Sequence, residues 1–241
     1  MAEDGSTRLD GSRLEGGRVL VCGATGVLGG ALTEALLAAG ARVVPAGRDP
    51  ERLAHVAERT GTEGAAFEAL DLDSCRAAVD AAAETLGGLD GVVVALGVAG
   101  FGPALEADDA VTEELFAVNA LAPMALVRAA APHLSERGFV AVLSAILADT
   151  PMPGMAEYSA SKAALASWLE VVRRELRPRT VLDVRPPHLE TGLADRALAG
   201  SPPRFPPGYP IEDLVAIVLA AIESGAREVV WDKRGRALVA R

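Results

Sequence analysis

Gly23-Ala24-Thr25-Gly26-Val27-Leu28-Gly29-Gly30 follows directly on the apolar run 19–22 and leads into an Ala- and Leu-rich stretch. Glycines between a strand and a helix allow a tight turn, and they let a pyrophosphate approach the backbone at the positive helix N-terminus. A glycine pattern alone is a weak signal, because a plain packing turn would also produce it. Between a first strand and a first helix it predicts a dinucleotide-binding turn, with contacts at Gly23, Thr25, Gly26, Val27, Leu28 and Gly29.

Short β-branched runs alternate with Ala-rich helical stretches along the rest of the chain. The predicted strands are 19–22, 42–46, 65–70, 91–96, 139–143, 181–185 and 228–231, and the predicted helices are 28–39, 50–60, 74–86, 109–134, 156–176 and 211–225. Strands that are apolar without a period of two indicate a parallel sheet covered on both faces. Right-handed crossovers then predict an α/β fold with a Rossmann-type doubly wound, seven-stranded parallel sheet.

The composition is that of one α/β domain. Half of the 241 residues are hydrophobic but only 4% are aromatic, so the core is expected to consist mostly of Ala, Val and Leu. Residues 1–17 are rich in Gly, Asp, Ser and Arg and are predicted to form a flexible tail, and residues 18–241 to form one nucleotide-binding domain. Five prolines in 201–210 indicate a stiff segment within a short substrate loop near 192–210.

Charge and cysteine content exclude several classes of function. The net charge of −10 argues against a nucleic-acid surface and gives no reason to expect a membrane partner. Two cysteines do not make a disulfide framework, and three scattered histidines predict no metal site. No apolar run approaches the roughly 20 residues that span a bilayer, and the first residues lack the pattern of a signal peptide. A cytoplasmic location is therefore expected.

Tyr158-Ser159-Ala160-Ser161-Lys162 is the strongest indication of chemistry in the chain. The spacing places a phenol and an ammonium on one face of a helix. The ammonium favours the phenolate, so the pKa of Tyr158 is predicted to lie below its usual value of about 10, as a general acid and base requires. Lysine is rare in this Arg-rich chain and suggests a compact charge that also reaches a sugar hydroxyl. The alternative is a surface tyrosine packed on a lysine stem.

The residues that follow the second and third strands indicate which cofactor the chain binds. An NAD enzyme of this architecture usually has an acid after the second strand, where this chain has Arg48. A guanidinium can bind a 2′-phosphate, so NADP(H) is favoured while NAD(H) stays possible. Asp49 argues the other way unless it caps the helix that begins at Pro50. Asp71 and Leu72 are predicted at the adenine edge, and Asp71 has the alternative role of a turn acid.

These features together resemble the short-chain dehydrogenase/reductase family over residues 18–231. The resemblance implies reversible hydride transfer between NAD(P) and an alcohol or carbonyl. By it, Tyr158 would protonate the substrate oxygen and Lys162 would hold the nicotinamide ribose. The other implied roles are a water bound at Asn119, a hydrogen bond from Ser144 to the carbonyl, and cofactor contacts at Ala95, Gly97 and Thr191. The family is often oligomeric, which predicts a homodimer or homotetramer.

The chain departs from the family pattern in four places. Val27 replaces the middle glycine of the turn, Val94-Ala95-Leu96-Gly97 keeps only the glycine of Asn-Asn-Ala-Gly, and Pro187 replaces a glycine. The fourth departure concerns the serine, because the usual position, 13 residues before the tyrosine, is Ala145. Either the loop after Ser144 is one residue longer, which we favour, or the serine function is missing. A strand-end hydroxyl bonded to local backbone is the other role for Ser144.

The segments expected to surround a substrate are mostly apolar. Pocket residues are predicted at Phe101, Met152, Met155, Leu193, Leu198, Phe205 and Tyr209. They predict a lipophilic small-molecule carbonyl or alcohol as the partner of an NADP(H)-preferring oxidoreductase. The altered 94–97 segment and the displaced serine leave open a second hypothesis, a non-catalytic NADP(H)-binding sensor or scaffold of the same fold.

Overall fold

Strands and helices alternate along residues 12–241, the part of the chain that the computed structural model describes. The strands are β1 Arg18–Cys22, β2 Arg42–Gly47, β3 Ala65–Ala66, β4 Leu89–Val94, β5 Leu134–Leu143, β6 Thr180–Val184, β7 Glu228–Asp232 and β8 Ala237–Ala240. The helices are α1 Val27–Ala38, α2 Pro50–Thr60, α3 Leu72–Leu86, α4 Asp109–Phe116, α5 Ala122–Ala130, α6 Ala156–Glu175 and α7 Ile211–Ser224.

All strands join one sheet in the order β3-β2-β1-β4-β5-β6-β7-β8. The first seven strands of this order run parallel, which confirms the Rossmann-type fold class. The predicted strand number was wrong by one, because β8 adds an antiparallel edge next to β7. The carboxylate of Asp232 accepts hydrogen bonds from the Arg234 and Gly235 amides at 3.1 and 2.8 Å, and it so closes the turn between the two strands.

The sheet is covered on both faces, as its uniformly apolar strands predict. In β1, Leu20 and Cys22 point to a core layer formed with α3, α5 and α6, whereas Val19 and Val21 point to a second layer with α1 and α7. Cys75 lies in the first layer with Cys22. Both thiols are free, and burial raises the pKa of each, that of Cys75 to about 11.

The predicted tail extended too far into the chain. Residues 1–11 lie outside the described residues, but the segment 12–17 is fastened to the fold. Leu14 is buried against the second core layer, and the Gly16 amide donates to the Gly40 carbonyl at 2.9 Å. The Arg13 amide donates to the Glu223 carboxylate in α7 at 2.7 Å. One buried leucine and these hydrogen bonds hold a stretch whose composition resembles that of a loop.

The predicted helix 109–134 is continuous to His133 but irregular. Its middle, Ala117–Leu121, is π-helical, and it separates α4 from α5. Pro123 explains the irregularity, because it has no amide to donate and its ring clashes with the carbonyl four residues earlier. Within the described residues, Asp109–His133 is the one helix long and apolar enough to span a membrane. It packs against α3 and α6 and is 56% buried over its most apolar window, as expected of a core helix.

Candidate active site

A cavity of about 410 Å³ opens at the carboxyl ends of β1, β4, β5 and β6. This is where nucleotides bind to doubly wound sheets, beside the point at which the strand order reverses between β1 and β4. The walls come from the turns that follow these strands, from the first turns of α6 and from the segment before α7. The predicted site residues that line it are Gly26, Val27, Leu28, Gly29, Ala95, Gly97, Phe101, Ser144, Met152, Met155, Tyr158, Lys162, Thr191, Leu193 and Phe205.

The glycine-rich turn has the geometry of a phosphate cradle. Gly23 has a φ of +87°, which favours glycine. A Cβ on Gly29 would lie 2.1 Å from the Gly23 carbonyl oxygen, so only glycine fits there. Gly26 caps α1 without a side chain over the helix end, which leaves the first amides of α1 facing the cavity mouth. The turn therefore fits the pyrophosphate of a dinucleotide at a helix N-terminus.

Tyr158 and Lys162 lie one turn apart on the face of α6 that lines the cavity. Tyr158 packs with Phe101 and Met155 in a small apolar cluster. The Lys162 ammonium, 2% exposed, donates to the carbonyl oxygens of Leu96 and Leu143, each at 3.2 Å. Those carbonyls belong to the segment after β4 and the end of β5. The lysine therefore ties α6 to β5 and to the segment that follows β4.

The titration of this pair differs from the prediction. Burial raises the pKa of Tyr158 to about 12, although the sequence predicted a lowered value. Burial also lowers the pKa of Lys162 to about 8, against an opposing effect of the Asp183 carboxylate. The Lys162 ammonium is held by carbonyls, and desolvation of the phenolate is the dominant effect on Tyr158. At neutral pH the pair is therefore a protonated phenol beside an amine that is still mostly protonated.

Asn119 lies beneath the cavity rather than in its lining. The π-helical turn directs its fully buried side chain at the segment after β4, where Oδ1 accepts from the Val98 amide and Nδ2 donates to the Val98 carbonyl, both at 3.0 Å. Nδ2 also donates to the Ser161 hydroxyl at 3.1 Å. Asn119 therefore holds the segment after β4 against α6. The water-binding role that the resemblance implied stays a prediction.

Ser144 follows β5 directly and reaches the cavity floor. Its amide donates to the Val184 carbonyl at 2.8 Å, and its hydroxyl hydrogen-bonds the carboxylate of Asp183 in β6. Ala145, at the position usual for the family's serine, also lines the cavity. Ser144 thus lines the same cavity as Tyr158, but its hydroxyl is already bonded to a buried carboxylate.

Charged residues follow the carboxyl end of β2, beside the glycine-rich turn. Arg48 is 79% exposed and its Nε lies 3.9 Å from a Glu68 carboxylate oxygen. The Asp49 carboxylate accepts from the amides of Glu51 and Arg52, both at 3.1 Å, and so caps α2. Asp71 caps α3 in the same way, and Leu72 begins that helix. Thr25 packs on Gly47, where a Cβ would lie 2.9 Å from the threonine methyl.

Five of the seven predicted substrate-pocket residues line the apolar half of the cavity: Phe101, Met152, Met155, Leu193 and Phe205. Phe101 and Phe205 have ring centroids 6.2 Å apart, and the His188 ring stacks on Phe205 at 4.4 Å. Leu198 packs in the same cluster. Tyr209 lies elsewhere, edge-on against Trp231 at 6.0 Å. The rings of Phe101, Phe205 and His188 therefore form an aromatic wall of the cavity.

A family model described as short chain dehydrogenase matches residues 18–200 of the chain. The match begins at β1 and covers the glycine-rich turn, the Tyr158–Lys162 pair and all of the strands that border the cavity. The chain belongs to the short-chain dehydrogenase family. It is an NAD(P)-dependent oxidoreductase, as the resemblance of its motifs predicted.

The proteins and solved structures that are similar to this dehydrogenase carry different functional descriptions. An uncharacterized oxidoreductase of Methylorubrum extorquens is 33% identical over 181 residues, which cover 70% of this chain and 71% of that protein. A cyclic-di-GMP-binding biofilm dispersal mediator protein of Escherichia coli is 29% identical, with 89% and 86% covered. A crystal structure of a short chain dehydrogenase from Burkholderia cenocepacia in complex with NADP has a TM-score of 0.77 and 32% identity, with 90% and 88% covered.

Two features of the site of this dehydrogenase were not predicted from the sequence. Asp183 interrupts the apolar β6 run Thr180–Val184, and a charged residue in a buried strand was the available signal. Arg52 lies one turn into α2, and its guanidinium donates to the Thr25 carbonyl in the glycine-rich turn. No local sequence pattern predicts that contact, because it joins residues that are 27 positions apart.

Proposed function

We propose that this dehydrogenase interconverts a lipophilic ketone and its secondary alcohol with a preference for NADP(H). The observation that carries the proposal is the placement of Tyr158 and Lys162 side by side on the wall of a largely apolar cavity that also meets the glycine-rich turn. A proton donor, a buried cation and a phosphate cradle around one cavity are what carbonyl reduction requires.

Tyr158 is the general acid of the proposed reduction. With its pKa raised to about 12, the phenol stays protonated at neutral pH and can give its proton to a carbonyl oxygen as negative charge develops there. Lys162 places a positive charge one helical turn away, which stabilises the phenolate left behind. The glycine-rich turn would hold the cofactor's phosphates, and the bound nicotinamide would supply the hydride. The apolar side chains around Phe101 and Phe205 exclude water and orient the substrate.

The proposed role of Tyr158 is tested with the only other tyrosine as a control. Tyr158→Phe removes the proton donor, so kcat with NADPH and a lipophilic ketone should fall roughly 10²- to 10⁴-fold while the Kd of NADPH stays within about twofold. Tyr209→Phe removes a hydroxyl outside the cavity and should keep wild-type turnover. Steady-state kinetics and fluorescence titration measure the two quantities. Equal turnover in both variants would remove Tyr158 from the mechanism.

The NADP(H) preference is proposed from Arg48. Its guanidinium is exposed at the end of β2, its distance of 3.9 Å to Glu68 makes a weak pair, and Asp49 is occupied in capping α2. Arg48→Ala should raise the Kd of NADPH roughly ten- to hundredfold, because a charge-assisted bond to the 2′-phosphate is lost, and leave that of NADH nearly unchanged. Arg59→Ala, which removes an exposed arginine at the other end of α2, is the control. Equal losses for both cofactors contradict the preference.

A second candidate is a nucleotide-binding sensor without turnover. It is favoured by the Escherichia coli relative, whose name describes binding of a dinucleotide, and by the Ser144 hydroxyl, which is already bonded to Asp183. A panel of lipophilic ketones with NADPH separates the two hypotheses. Saturable NADPH binding with no NADPH oxidation across the panel supports the sensor, and oxidation that Tyr158→Phe abolishes supports the reductase.

A further inference from the structure

The hydroxyl of Ser144 is held by a carboxylate that lies entirely inside the protein. Asp183 is 0% exposed, and one of its oxygens accepts the hydrogen bond from Ser144. Its second oxygen lies 2.7 Å from the guanidinium of Arg185. A carboxylate can only accept hydrogen bonds, and a serine hydroxyl has one hydrogen. The hydrogen of Ser144 therefore points to Asp183, away from the cavity.

Arg185 pairs with Asp183 inside a network of charged side chains. The guanidinium also bonds Asp149 at 2.8 Å and Glu228 at 3.3 Å, and Glu228 bonds Arg241 at 3.0 Å near the surface. Arg185 is a permanent cation, and this network fixes its position. A charge-assisted bond to an anion is stronger than one to a neutral carbonyl. The Val184 carbonyl, 3.3 Å from the same hydroxyl, therefore does not compete with Asp183 for the hydrogen.

We propose that Asp183 is a positioning residue that makes Ser144 a hydrogen-bond acceptor toward the cavity, and that the substrate is a ketone with a neighbouring hydroxyl group. The inference rests on the proposed function and deepens it. A carbonyl oxygen is itself only an acceptor, so it gains nothing from the lone pairs of Ser144. A hydroxyl on the adjacent carbon donates to them, while Tyr158 donates to the reacting oxygen. The two hydrogen bonds then hold both oxygen atoms of an α-hydroxy ketone.

Two ketones of nearly equal size test this preference, acetophenone and its α-hydroxy analogue. The wild-type enzyme with NADPH should show a kcat/KM roughly tenfold higher for the hydroxy ketone, the value of one additional hydrogen bond in a buried site. Ser144→Ala should reduce that ratio to about one. Ser159→Ala is the control, since this buried serine does not line the cavity and donates to the backbone carbonyl of Met155, and it should keep the wild-type ratio.

Asp183→Asn keeps Ser144 but reverses the direction of its hydrogen bond with residue 183, so it tests the direction of that bond alone. Arg185 has only donors, so it selects the oxygen of the new amide and turns the NH₂ group toward Ser144. Ser144 must then accept from this NH₂ group, and its hydrogen no longer has a carboxylate partner. The Val184 carbonyl, at 3.3 Å, is a long contact and competes only weakly with an acceptor in the cavity. The variant keeps its shape, and Asp149 and Glu228 still balance Arg185. Its kcat/KM for acetophenone should rise several-fold while its preference for the hydroxy ketone disappears.

The failure of this inference is distinguishable from failure of the proposed function. If wild type and both variants at Ser144 and Asp183 show the same ratio, and the ketones still turn over, the inference is overturned and the reductase assignment stands. If neither ketone turns over, calorimetry measures the Kd of each ketone with the Tyr158→Phe protein in the presence of NADPH. A Kd roughly tenfold lower for the hydroxy ketone, lost on adding Ser144→Ala, supports the acceptor role, and equal Kd values overturn it.

Discussion

Lys162 is a buried cation whose ionisation links the site to the stability of the whole protein. Its pKa is about 8 in the folded state and 10.5 when exposed. Between these values the folded protein has lost the proton and the unfolded chain still binds it. Because the unfolded state binds more protons, the free energy of unfolding rises with pH in this window, by about 1.4 kcal/mol per pH unit at most.

Replacement of each lysine in turn isolates the contribution of Lys162 to the pH dependence of the free energy of unfolding. The free energy of unfolding of wild type minus that of Lys162→Met should increase from about pH 8 to about pH 10.5, as measured by urea unfolding at a series of pH values. Lys233→Met removes the other lysine, which is exposed, and should show no such trend. Tyr158, with its folded pKa of about 12, acts in the opposite sense above about pH 10. Parallel curves for wild type and Lys162→Met contradict the lowered pKa.

The spacing of Tyr158 and Lys162 was predictable because a helix repeats every 3.6 residues, whatever surrounds it. Their pKa values were not. The direction of each shift depends on how much water the fold removes from each group. The residues that surround the two groups come from the segment after β4, the end of β5 and the loop around Phe101. The same holds for Ser144, whose hydrogen-bond partner lies 39 residues further along the chain.

At the scale of elements, the turn between β1 and α1 depends on close approach of two backbone segments. A Cβ on Gly29 would meet the Gly23 carbonyl carbon at 2.7 Å as well as its oxygen at 2.1 Å. Gly29→Ala should therefore displace the turn, lower the free energy of unfolding by about 1–3 kcal/mol and raise the Kd of NADPH at least tenfold, by roughly the same energy. Thermal unfolding and fluorescence titration measure these effects.

Gly30→Ala is the matched control for this turn. Its Cβ would lie 3.3 Å from the Ala24 carbonyl oxygen, a contact that a small shift relieves, and alanine favours the helix by about 1 kcal/mol. The control should keep NADPH affinity within about threefold, since the cradle is unchanged. If Gly29→Ala binds NADPH as tightly as Gly30→Ala, close approach at the turn does not determine the phosphate site.

Most elements were predicted within two residues of their ends, because their stop signals are local. Asp49 and Pro50 begin α2 and Gly61 ends it, as its sequence predicts. The strand predicted at 65–70 was too long, because β3 pairs only at Ala65–Ala66 on the edge of the sheet. The π-helical turn at Asn119 was not predicted, although Pro123 is a signal for it. A helix pattern specifies which face is apolar but not how a proline is accommodated.

At the scale of the whole molecule, the segment before β1 closes the second core layer. Leu14 is 2% exposed and packs among the residues of α1 and α7, although its neighbours are polar. Leu14→Ala should lower the free energy of unfolding by about 2–4 kcal/mol, as expected for a buried leucine, without changing the KM for NADPH. Leu105→Ala, at a fully exposed leucine, should change neither. Equal stability of the two variants would show that the segment is not part of the core.

The sequence by itself determined the fold class, the glycine-rich turn, the spacing of Tyr158 and Lys162 and the apolar character of the residues that line the cavity, because these depend on composition and on spacing along the chain. The tertiary structure decided what only distant segments create: the antiparallel β8, the fastening of residues 12–17, the raised pKa of Tyr158, and the Asp183 carboxylate that directs the Ser144 hydroxyl. Desolvation and hydrogen-bond direction depend on all the groups around an atom. No local pattern can specify them.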